Sequence, residues 1–316
     1  MTTRREQAEA FRRLHRPGDP LLLVDVWDVA SARIVESLGA AAVATTGAGI
    51  SWSLGARDGE RLERRDLVEA VRRIAAAVRV PVDADIETGY GTVPGQVADT
   101  VRAVVDAGAV GVTIEDGDDD GPGRLRPVGQ QCARLAAARR AADDCGVPVL
   151  INARVDTYLR TVGDPATRLA DTVNRATAYL GAGADSIFPA GAGVDAVVSL
   201  VRAVAAPVNV LAEPGGIPVA GWAAHGVARI SIGPALAQLA YATVHRAARA
   251  LLLTGQTGPL NPSLGREELD RLAGPHAAAP TADRPLADGP TVAEHLAGDG
   301  VYRSQFWANA VRDGGR

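Results

Sequence analysis

The 316-residue sequence contains no lysine, since all 33 of its basic residues are arginine. Schiff-base chemistry needs a lysine amine, so lysine-dependent aldolases and enzymes that hold pyridoxal phosphate as an internal aldimine are excluded. A Walker-A phosphate-binding loop requires its lysine as well and is excluded for the same reason.

Cysteine and long apolar runs are also scarce. Cys132 and Cys145 fall thirteen residues apart in one predicted helix, on separated faces at about 100° per residue, so we expect no internal disulfide. No run of about eighteen apolar residues occurs, and the first residues begin an amphipathic segment rather than a signal peptide. We therefore expect a cytoplasmic protein. A net charge of −4 and a pI near 5.8 give no electrostatic basis for binding nucleic acid or an anionic membrane.

Apolar strand-like runs alternate with amphipathic helical runs along residues 21–253. Near-continuous hydrophobic strands between helices indicate parallel strands that are buried on both faces. Eight units within about 250 residues predict an α/β fold, a (β/α)8 TIM-type barrel. No Gly-x-Gly-x-x-Gly motif follows the first strand, which disfavours a dinucleotide-binding sheet. The predicted strands are Leu21–Trp27, Ala41–Thr46, Val80–Ile86, Gly111–Glu115, Val147–Arg154, Ser186–Ala190, Val208–Ala212 and Ala228–Ile232.

The C-terminal part of the chain differs from this pattern. Residues 1–255 are predicted to form the catalytic barrel, and its last helix, Pro234–Leu253, carries an apolar stripe. Residues 255–290 are rich in Gly, Pro and Ala, which predicts a loosely ordered connector. Residues 292–311 regain helical character, so we expect the 256–316 segment to include a helical tail at a subunit interface.

Four carboxylates follow consecutive predicted strands. Asp58 lies in the turn after the second strand, Asp85 and Glu87 end the third, and Glu115 ends the fourth. The C-terminal ends of parallel barrel strands meet at one rim, where active sites lie. Any one of these acids could cap a helix or pair with an arginine. The four together predict a site for a hard divalent cation such as Mg²⁺.

Other residues of this rim could bind a small carboxylate. Arg154 ends the fifth strand and could grip a carboxylate with two hydrogen bonds, or else pair with Asp156. The stretch Thr46, Gly47 and Ala48 could offer backbone N–H groups, with a plain turn as the rival interpretation. The five histidines fall in helices, loops or the tail, so they give histidine catalysis little support.

The motifs that contain these residues resemble the isocitrate lyase / phosphoenolpyruvate mutase superfamily over about residues 21–255. The resemblance is carried by Trp27 to Ala32, Ser53 to Asp58, Asp85 to Gly91, Gly111 to Asp116, Ala153 to Asp156, Ala182 to Asp185 and Pro207 to Val210.

The resemblance implies several further features. They are a barrel whose eighth helix is exchanged between the subunits of a homo-dimer or homo-tetramer, a Mg²⁺ cofactor with Mn²⁺ as a substitute, and small 2-oxo or 2-hydroxy carboxylate substrates. Asp85 would hold the metal directly, and Asp58, Glu87 and Glu115 directly or through water. The Thr46, Gly47 and Ala48 backbone would bind the substrate carboxylate beside Arg154 and Asn209, with Asp58 and Tyr90 as further catalytic candidates.

One departure narrows the chemistry. Lyases of this superfamily carry a Lys-Cys-Gly-His loop after the fourth strand, whereas residues 117–127 here contain no Cys, Lys, Asn or His. We therefore expect a non-classical Mg²⁺-dependent lyase that cleaves or forms a C–C bond of a small (di)carboxylate through an enolate, with Tyr90 or a loop acid as proton donor. A phosphonopyruvate-type C–P mutase or hydrolase is the first alternative. A catalytically degenerate barrel that serves as a binding subunit is the second.

Overall fold

The computed structural model describes residues 3–118, 123–261 and 264–274, and these residues form a barrel of strands surrounded by helices. The strands are β1 (Leu21–Val26), β2 (Val43–Thr45), β3 (Val82–Asp85), β4 (Gly111–Glu115), β5 (Leu150–Val155), β6 (Ser186–Pro189), β7 (Asn209–Leu211) and β8 (Arg229–Ser231). The helices are α1 (Arg4–Leu14), α2 (Val29–Ser37), α3 (Gly47–Ser53), α4 (Arg64–Ala77), α5 (Pro94–Ala107), α6 (Val128–Asp144), α7 (Arg168–Gly181), α8 (Val194–Ala203), α9 (Val219–Ala224), α10 (Ala235–Thr254) and α11 (Arg266–Ala273).

The eight strands pair in parallel, in the order β6-β5-β4-β3-β2-β1-β8-β7. A parallel bridge between Ile187 and Val208 brings the two end strands together and nearly closes the ring. This confirms the predicted (β/α)8 barrel. Seven of the eight predicted strands were longer than the observed ones because apolar residues continue into the turns; Val80 and Val147, for example, lie outside β3 and β5.

Helix α1 packs on the N-terminal end of the barrel. Its Ala8 and Phe11 are fully buried in a cluster with residues at the starts of several strands, among them Leu21 and Leu150. Thr3 caps the helix in a reciprocal pair with Glu6, which satisfies amides that the first turn leaves without partners. Helix α1 thus closes this end of the barrel interior.

The barrel interior is polar, which corrects the expectation of near-continuous hydrophobic strands. Arg229 Nη2 lies 2.7 Å from Asp83 Oδ2, and its Nε donates to Ser231 Oγ at 3.1 Å. Because β3 and β8 are not neighbours in the sheet, the Asp83–Arg229 pair crosses the interior. Thr113 Oγ1 donates to the same Asp83 oxygen at 3.0 Å. Further hydrogen bonds extend this network to Asn152, Ser186 and Asn209.

The segment predicted as a loose connector contains a helix. Helix α11 packs against α2, and Arg33 Nη1 donates to the carbonyl of Leu272 at 2.8 Å. The predicted tail at residues 292–311 lies outside the described residues. Cys132 and Cys145 are both free, as expected. None of the helices in the described ranges has the length and apolar character needed to cross a membrane.

Candidate active site

A cavity of about 430 Å³ opens at the C-terminal ends of the strands. All four predicted metal-binding acids line it, together with Arg154, Thr46 and Ala48. The structure therefore brings most of the predicted site into one place. Gly47 and Tyr90 do not line the cavity, but each donates a hydrogen bond to one of its acids. The remaining wall residues are Asp25, Thr45, Gly59, Asp83, Thr113, Leu159, Arg160, Phe188, Ala190, Leu211, Arg229, Ser231, Gly233 and Pro234.

Asp85 and Glu87 reach the cavity by a different route from the one predicted. Strand β3 ends at Asp85, and Glu87 adopts a left-handed backbone conformation with φ of 51°. That conformation is uncommon for a residue with a side chain. Both acids still face the cavity, and the Glu87 N–H donates to Asp85 Oδ1 at 3.1 Å. The turn, rather than a regular strand, puts them side by side.

Glu60, which sequence reasoning missed, holds the acid turn in place. Its carboxylate Oε1 accepts from the Thr88 hydroxyl and the Tyr90 N–H, each at 2.7 Å. Its own N–H donates to Glu87 Oε2. These contacts join the turn after β2 to the turn after β3. They thereby bring Asp58, which lies two residues before Glu60, to the cavity mouth.

Tyr90 contacts Glu87 directly. Its hydroxyl donates to Glu87 Oε1 at 3.1 Å. Burial raises the pKa of the Tyr90 hydroxyl, and the negative charge of Glu87 raises it further. The hydroxyl therefore keeps its proton at neutral pH and orients Glu87.

The predicted backbone cradle at residues 46–48 is partly occupied by the protein itself. The Gly47 N–H donates to Asp85 Oδ2 at 2.9 Å, and the Thr46 N–H donates to the Val26 carbonyl at 3.0 Å. Ala48 lines the cavity in the first turn of α3, where the backbone N–H groups have no acceptor within the helix. The expectation of three unengaged amides is thus corrected, and Ala48 is the one best suited to a substrate carboxylate.

Arg154 is held between two carboxylates, one of them Asp156, the partner that the alternative interpretation predicted for it. Its Nη2 lies 2.5 Å from Glu115, and its Nε lies 2.7 Å from Asp156. Arg160, which sequence reasoning missed, contacts the same two acids at longer distances of 3.4 Å. Arg160 Nη1 also donates to the Asp118 carbonyl at 3.2 Å, which ties the acidic loop to the cavity mouth. Asp119 and Asp120 of that loop lie outside the described residues.

Asn209 lies behind the cavity wall. It is fully buried, and its Nδ2 donates to Ser231 Oγ at 3.2 Å. Ser231 is the member of this pair that faces the cavity. Asn209 therefore acts on the cavity through Ser231, and its predicted role in substrate binding stays a prediction.

Several cavity groups carried no signal in the sequence beyond their residue type. Asp25 is buried in β1, and its Oδ2 accepts from the N–H groups of Ile232 and Gly233 at 2.8 and 2.9 Å. Burial raises the pKa of Asp25 to about 7. Asp83 and Arg229 lie within apolar runs, so the apolar pattern that predicts the strands gives no reason to assign them to a site. For Asp156 there was one indication in the sequence: it lies two residues after Arg154 in the Ala153 to Asp156 motif, close enough to pair with it.

The acids meet the chemical requirements of a divalent metal, although they are not gathered into a ready-made ligand set. Among the described residues, no group of three or more His, Cys, Asp or Glu side chains is close enough to hold an ion. Burial raises the pKa of Asp85, and it raises those of Glu87 and Glu115 to about 8. A cation between these oxygens would offset that cost of burial. Mg²⁺ keeps several waters and needs only one or two carboxylates directly, so the arrangement fits such an ion.

The chain is similar to proteins of one superfamily. A sequence profile described as phosphoenolpyruvate phosphomutase matches residues 11–252, which confirms the predicted resemblance. An uncharacterised protein of Mycobacterium tuberculosis is 37% identical over 246 residues, which cover 77% of this chain and 88% of that protein. Oxaloacetate decarboxylase of Rhodopseudomonas palustris is 32% identical over 191 residues, which cover 59% of this chain and 64% of that enzyme. The crystal structure of a candidate lyase/mutase from Burkholderia cenocepacia matches with a TM-score of 0.79 and 36% identity, over 88% of this chain and 97% of that one.

Proposed function

The chain belongs to the phosphoenolpyruvate phosphomutase family, and we propose that it is a Mg²⁺-dependent lyase that cleaves or forms a C–C bond of a small 2-oxo or 2-hydroxy carboxylate. The observation that carries this proposal is the convergence of Asp58, Asp85, Glu87 and Glu115 on one cavity, with Arg154 beside them. Carboxylates at a closed rim repel one another unless a cation lies among them.

Each group has a part in this proposal. Asp85 would hold the metal directly, as the resemblance to the superfamily implies, and the N–H groups of Gly47 and Glu87 fix its carboxylate in position. Asp58, Glu87 and Glu115 would hold it through water. The bound metal would accept the negative charge that develops on the 2-oxo oxygen when the neighbouring bond breaks.

The protein's own groups would orient the substrate. Ala48 offers a helix N-terminal amide to the substrate carboxylate, and Arg154, held by Glu115 and Asp156, adds a fixed positive charge. Tyr90 keeps Glu87 in position through its hydroxyl. Proton transfer falls to Asp58, to Tyr90 or to an acid of the 117–127 loop, since that loop lacks cysteine, lysine and histidine.

Carbon–phosphorus chemistry is the second candidate. The family description favours it, whereas the similarity to an oxaloacetate decarboxylase favours C–C chemistry. Arg160 holds the Asp118 backbone at the cavity mouth, and the negative charge of Asp118 there would repel a phosphonate. This difference makes the C–C reaction the better supported of the two.

The experiment that tests the proposal is a turnover assay with purified protein and Mg²⁺. Oxaloacetate, 2-methylisocitrate, 2,3-dimethylmalate and phosphonopyruvate are offered in turn, and release of a 2-oxo acid or of phosphate, or isomerisation of phosphonopyruvate to phosphoenolpyruvate, is measured. We expect turnover of a C–C substrate that stops on chelation of the metal and in Asp85→Ala, while circular dichroism of the variant is unchanged. Retained activity in Asp85→Ala would remove the metal assignment.

The degenerate-barrel alternative makes a different prediction. A binding subunit without a metal site would show no change in melting temperature with Mg²⁺ and oxalate. We expect instead that the two together stabilise the wild-type protein and leave Asp85→Ala unchanged. Absence of that stabilisation, together with no turnover, would favour the binding subunit.

We further propose that the protein is a homo-oligomer in which α10 of one copy covers β1 of another. Helix α10 has Ala237 as its one buried residue, and it exposes 64% of Val244 and 82% of Leu252. The outer face of β1 is also open: Leu22 is 45% exposed and borders a groove of about 590 Å³. Outer faces of parallel barrel strands are normally covered by helices, so groove and helix are complementary.

Light scattering after size exclusion tests this assembly. We expect the wild type to be a dimer or tetramer and both Leu22→Arg and Val244→Arg to shift it towards monomers. Val93→Arg, at an exposed site on the α5 end, is the matched control and should leave the mass unchanged. A monomeric wild type would contradict the proposal.

A further inference from the structure

The two sides of the cavity differ in chemistry. The acids follow β2, β3 and β4, whereas β6, β7 and the neighbouring loops contribute apolar side chains. In the nearly closed ring, β6 and β7 lie across from β2 and β3. We name these side chains the apolar wall: Leu159, Phe188, Ala190, Leu211 and Pro234.

The apolar wall is held in place by backbone contacts. The Leu159 N–H donates to the carbonyl of Ala190 at 3.1 Å, which seats the loop after β5 on the end of β6. The following residue, Gly191, has a φ of 73°, and a Cβ there would lie 3.1 Å from the Leu159 backbone. Glycine therefore permits Leu159 to complete the wall, although the Leu159 side chain is 49% exposed at the mouth.

The arginines that line the cavity are already paired with carboxylates. Arg154 and Arg160 both contact Glu115 and Asp156, and Arg229 contacts Asp83. Among the described wall residues, Arg229 Nη1 is a guanidinium nitrogen without a hydrogen-bond partner, and that side chain is only 3% exposed. A substrate carboxylate placed against the apolar wall would therefore have to share an arginine that already contacts an acid of the protein. Removing such a group from water without a partner is costly, whereas an alkyl group gains from the same transfer.

We propose that the substrate carries an uncharged alkyl group that packs against the apolar wall while its 2-oxo or 2-hydroxy carboxylate end faces the acids. This inference rests on the proposed function, because it takes the acid side as the reacting end. It narrows the substrate class to alkyl-substituted 2-oxo or 2-hydroxy acids that bind with their carboxylate near Arg154. A second carboxylate that points towards β6 and β7 is excluded.

Two oxalate-like probes differ only in the group that would meet the wall. N-propyloxamate carries an alkyl tail, and N-oxalylglycine carries a carboxylate tail on the same chelating end. Their affinities, and that of oxalate, are measured by calorimetry with Mg²⁺ present. We expect N-propyloxamate to bind at least about tenfold more tightly than N-oxalylglycine, since each buried methylene contributes about 0.8 kcal/mol.

Two variants test the wall itself. Leu159→Arg, at a half-exposed position, should reverse the preference by favouring the carboxylate tail. Gly191→Ala should weaken N-propyloxamate and leave oxalate unchanged, because its Cβ displaces Leu159. Val93→Arg adds the same charge at a similarly exposed apolar site (52%) that does not border the cavity, so it should retain the wild-type preference.

The outcomes separate the two proposals. If none of the three probes binds with Mg²⁺, the proposed function fails. If oxalate binds but the carboxylate-tailed probe binds as tightly as the alkyl one, the apolar wall proposal is overturned and the function stands. The same holds if Leu159→Arg and Gly191→Ala both fold by circular dichroism and leave the ratio of the two affinities unchanged.

Discussion

The buried Asp83–Arg229 pair offers a sharp test of how the barrel is stabilised. The side chains are 1% and 3% exposed, and their charged atoms lie 2.7 Å apart. Replacing Arg229 by Met keeps most of the side-chain volume but removes the charge and leaves the Asp83 carboxylate buried without its guanidinium. Ser231 also loses the hydrogen bond from Arg229 Nε.

The expected cost follows from this geometry. Removing one partner of a buried ion pair costs about 3–5 kcal/mol, because an uncompensated charge remains. The lost hydrogen bond to Ser231 contributes about 1 kcal/mol more. We expect Arg229→Met to lower the free energy of unfolding by roughly 5 kcal/mol. The double variant Asp83→Asn/Arg229→Met should lose less, about 1–2 kcal/mol, since no buried charge is left and Asn can still accept from Thr113.

Urea denaturation followed by circular dichroism measures both variants and the single Asp83→Asn. The four proteins form a double-mutant cycle, and we expect a coupling energy of roughly 2 kcal/mol or more. Additive losses in the double variant would refute the reasoning, because they would mean that the two charges do not stabilise each other. A loss below about 1 kcal/mol for Arg229→Met would refute it as well.

Three further predictions concern other contacts. Gly47→Ala would place a Cβ 2.9 Å from Glu87 Cγ, so we expect oxalate affinity in the presence of Mg²⁺, measured by calorimetry, to fall about tenfold or more; unchanged affinity would contradict the close approach. Burial lowers the pKa of His15 to about 4, so the native state resists a proton that the unfolded chain takes up near pH 6.5. Stability should therefore fall by roughly 3 kcal/mol between about pH 6.5 and pH 4 relative to His15→Phe in urea titrations, and parallel pH profiles would rule this out. Asp156→Asn should leave Arg154 held by Glu115 alone and lower kcat about a hundredfold with a smaller change in Tm, and an unaltered kcat would show that Arg154 does not need this partner.

The sequence predicted the positions of the strands well and their ends poorly. Gly111–Glu115 matches β4 residue for residue, whereas the predicted Val80–Ile86 extends beyond both ends of β3. Alternation of apolar runs with amphipathic helices is a local signal, and it is strong in a barrel. The ends depend on where a strand loses its hydrogen-bonded neighbour, which is a property of the assembled sheet.

The sequence predicted many of the residues that form the site, whereas the contacts among them became known only from the structure. The four acids, Arg154 and Ala48 follow strand ends, so a count of strands was enough to bring them to one rim. Glu60 and Arg160 were missed because they lie in turns, and their contacts join segments about 30 and 45 residues apart along the chain. The amides of Thr46 and Gly47 were predicted to be free for a ligand, but in the structure they donate to the Val26 carbonyl and the Asp85 carboxylate.

By itself, the amino-acid sequence determined the chemistry that this protein has at hand: no lysine amine, a set of carboxylates at successive strand ends, and an arginine beside them. Residue types, and the spacing of apolar residues along strands and helices, are local properties that can be read from the sequence alone. Only the tertiary structure decided which of these groups are already bound to one another, because pairing across a barrel depends on distance in space. That pairing commits three arginines to acids and leaves an apolar wall opposite the carboxylates.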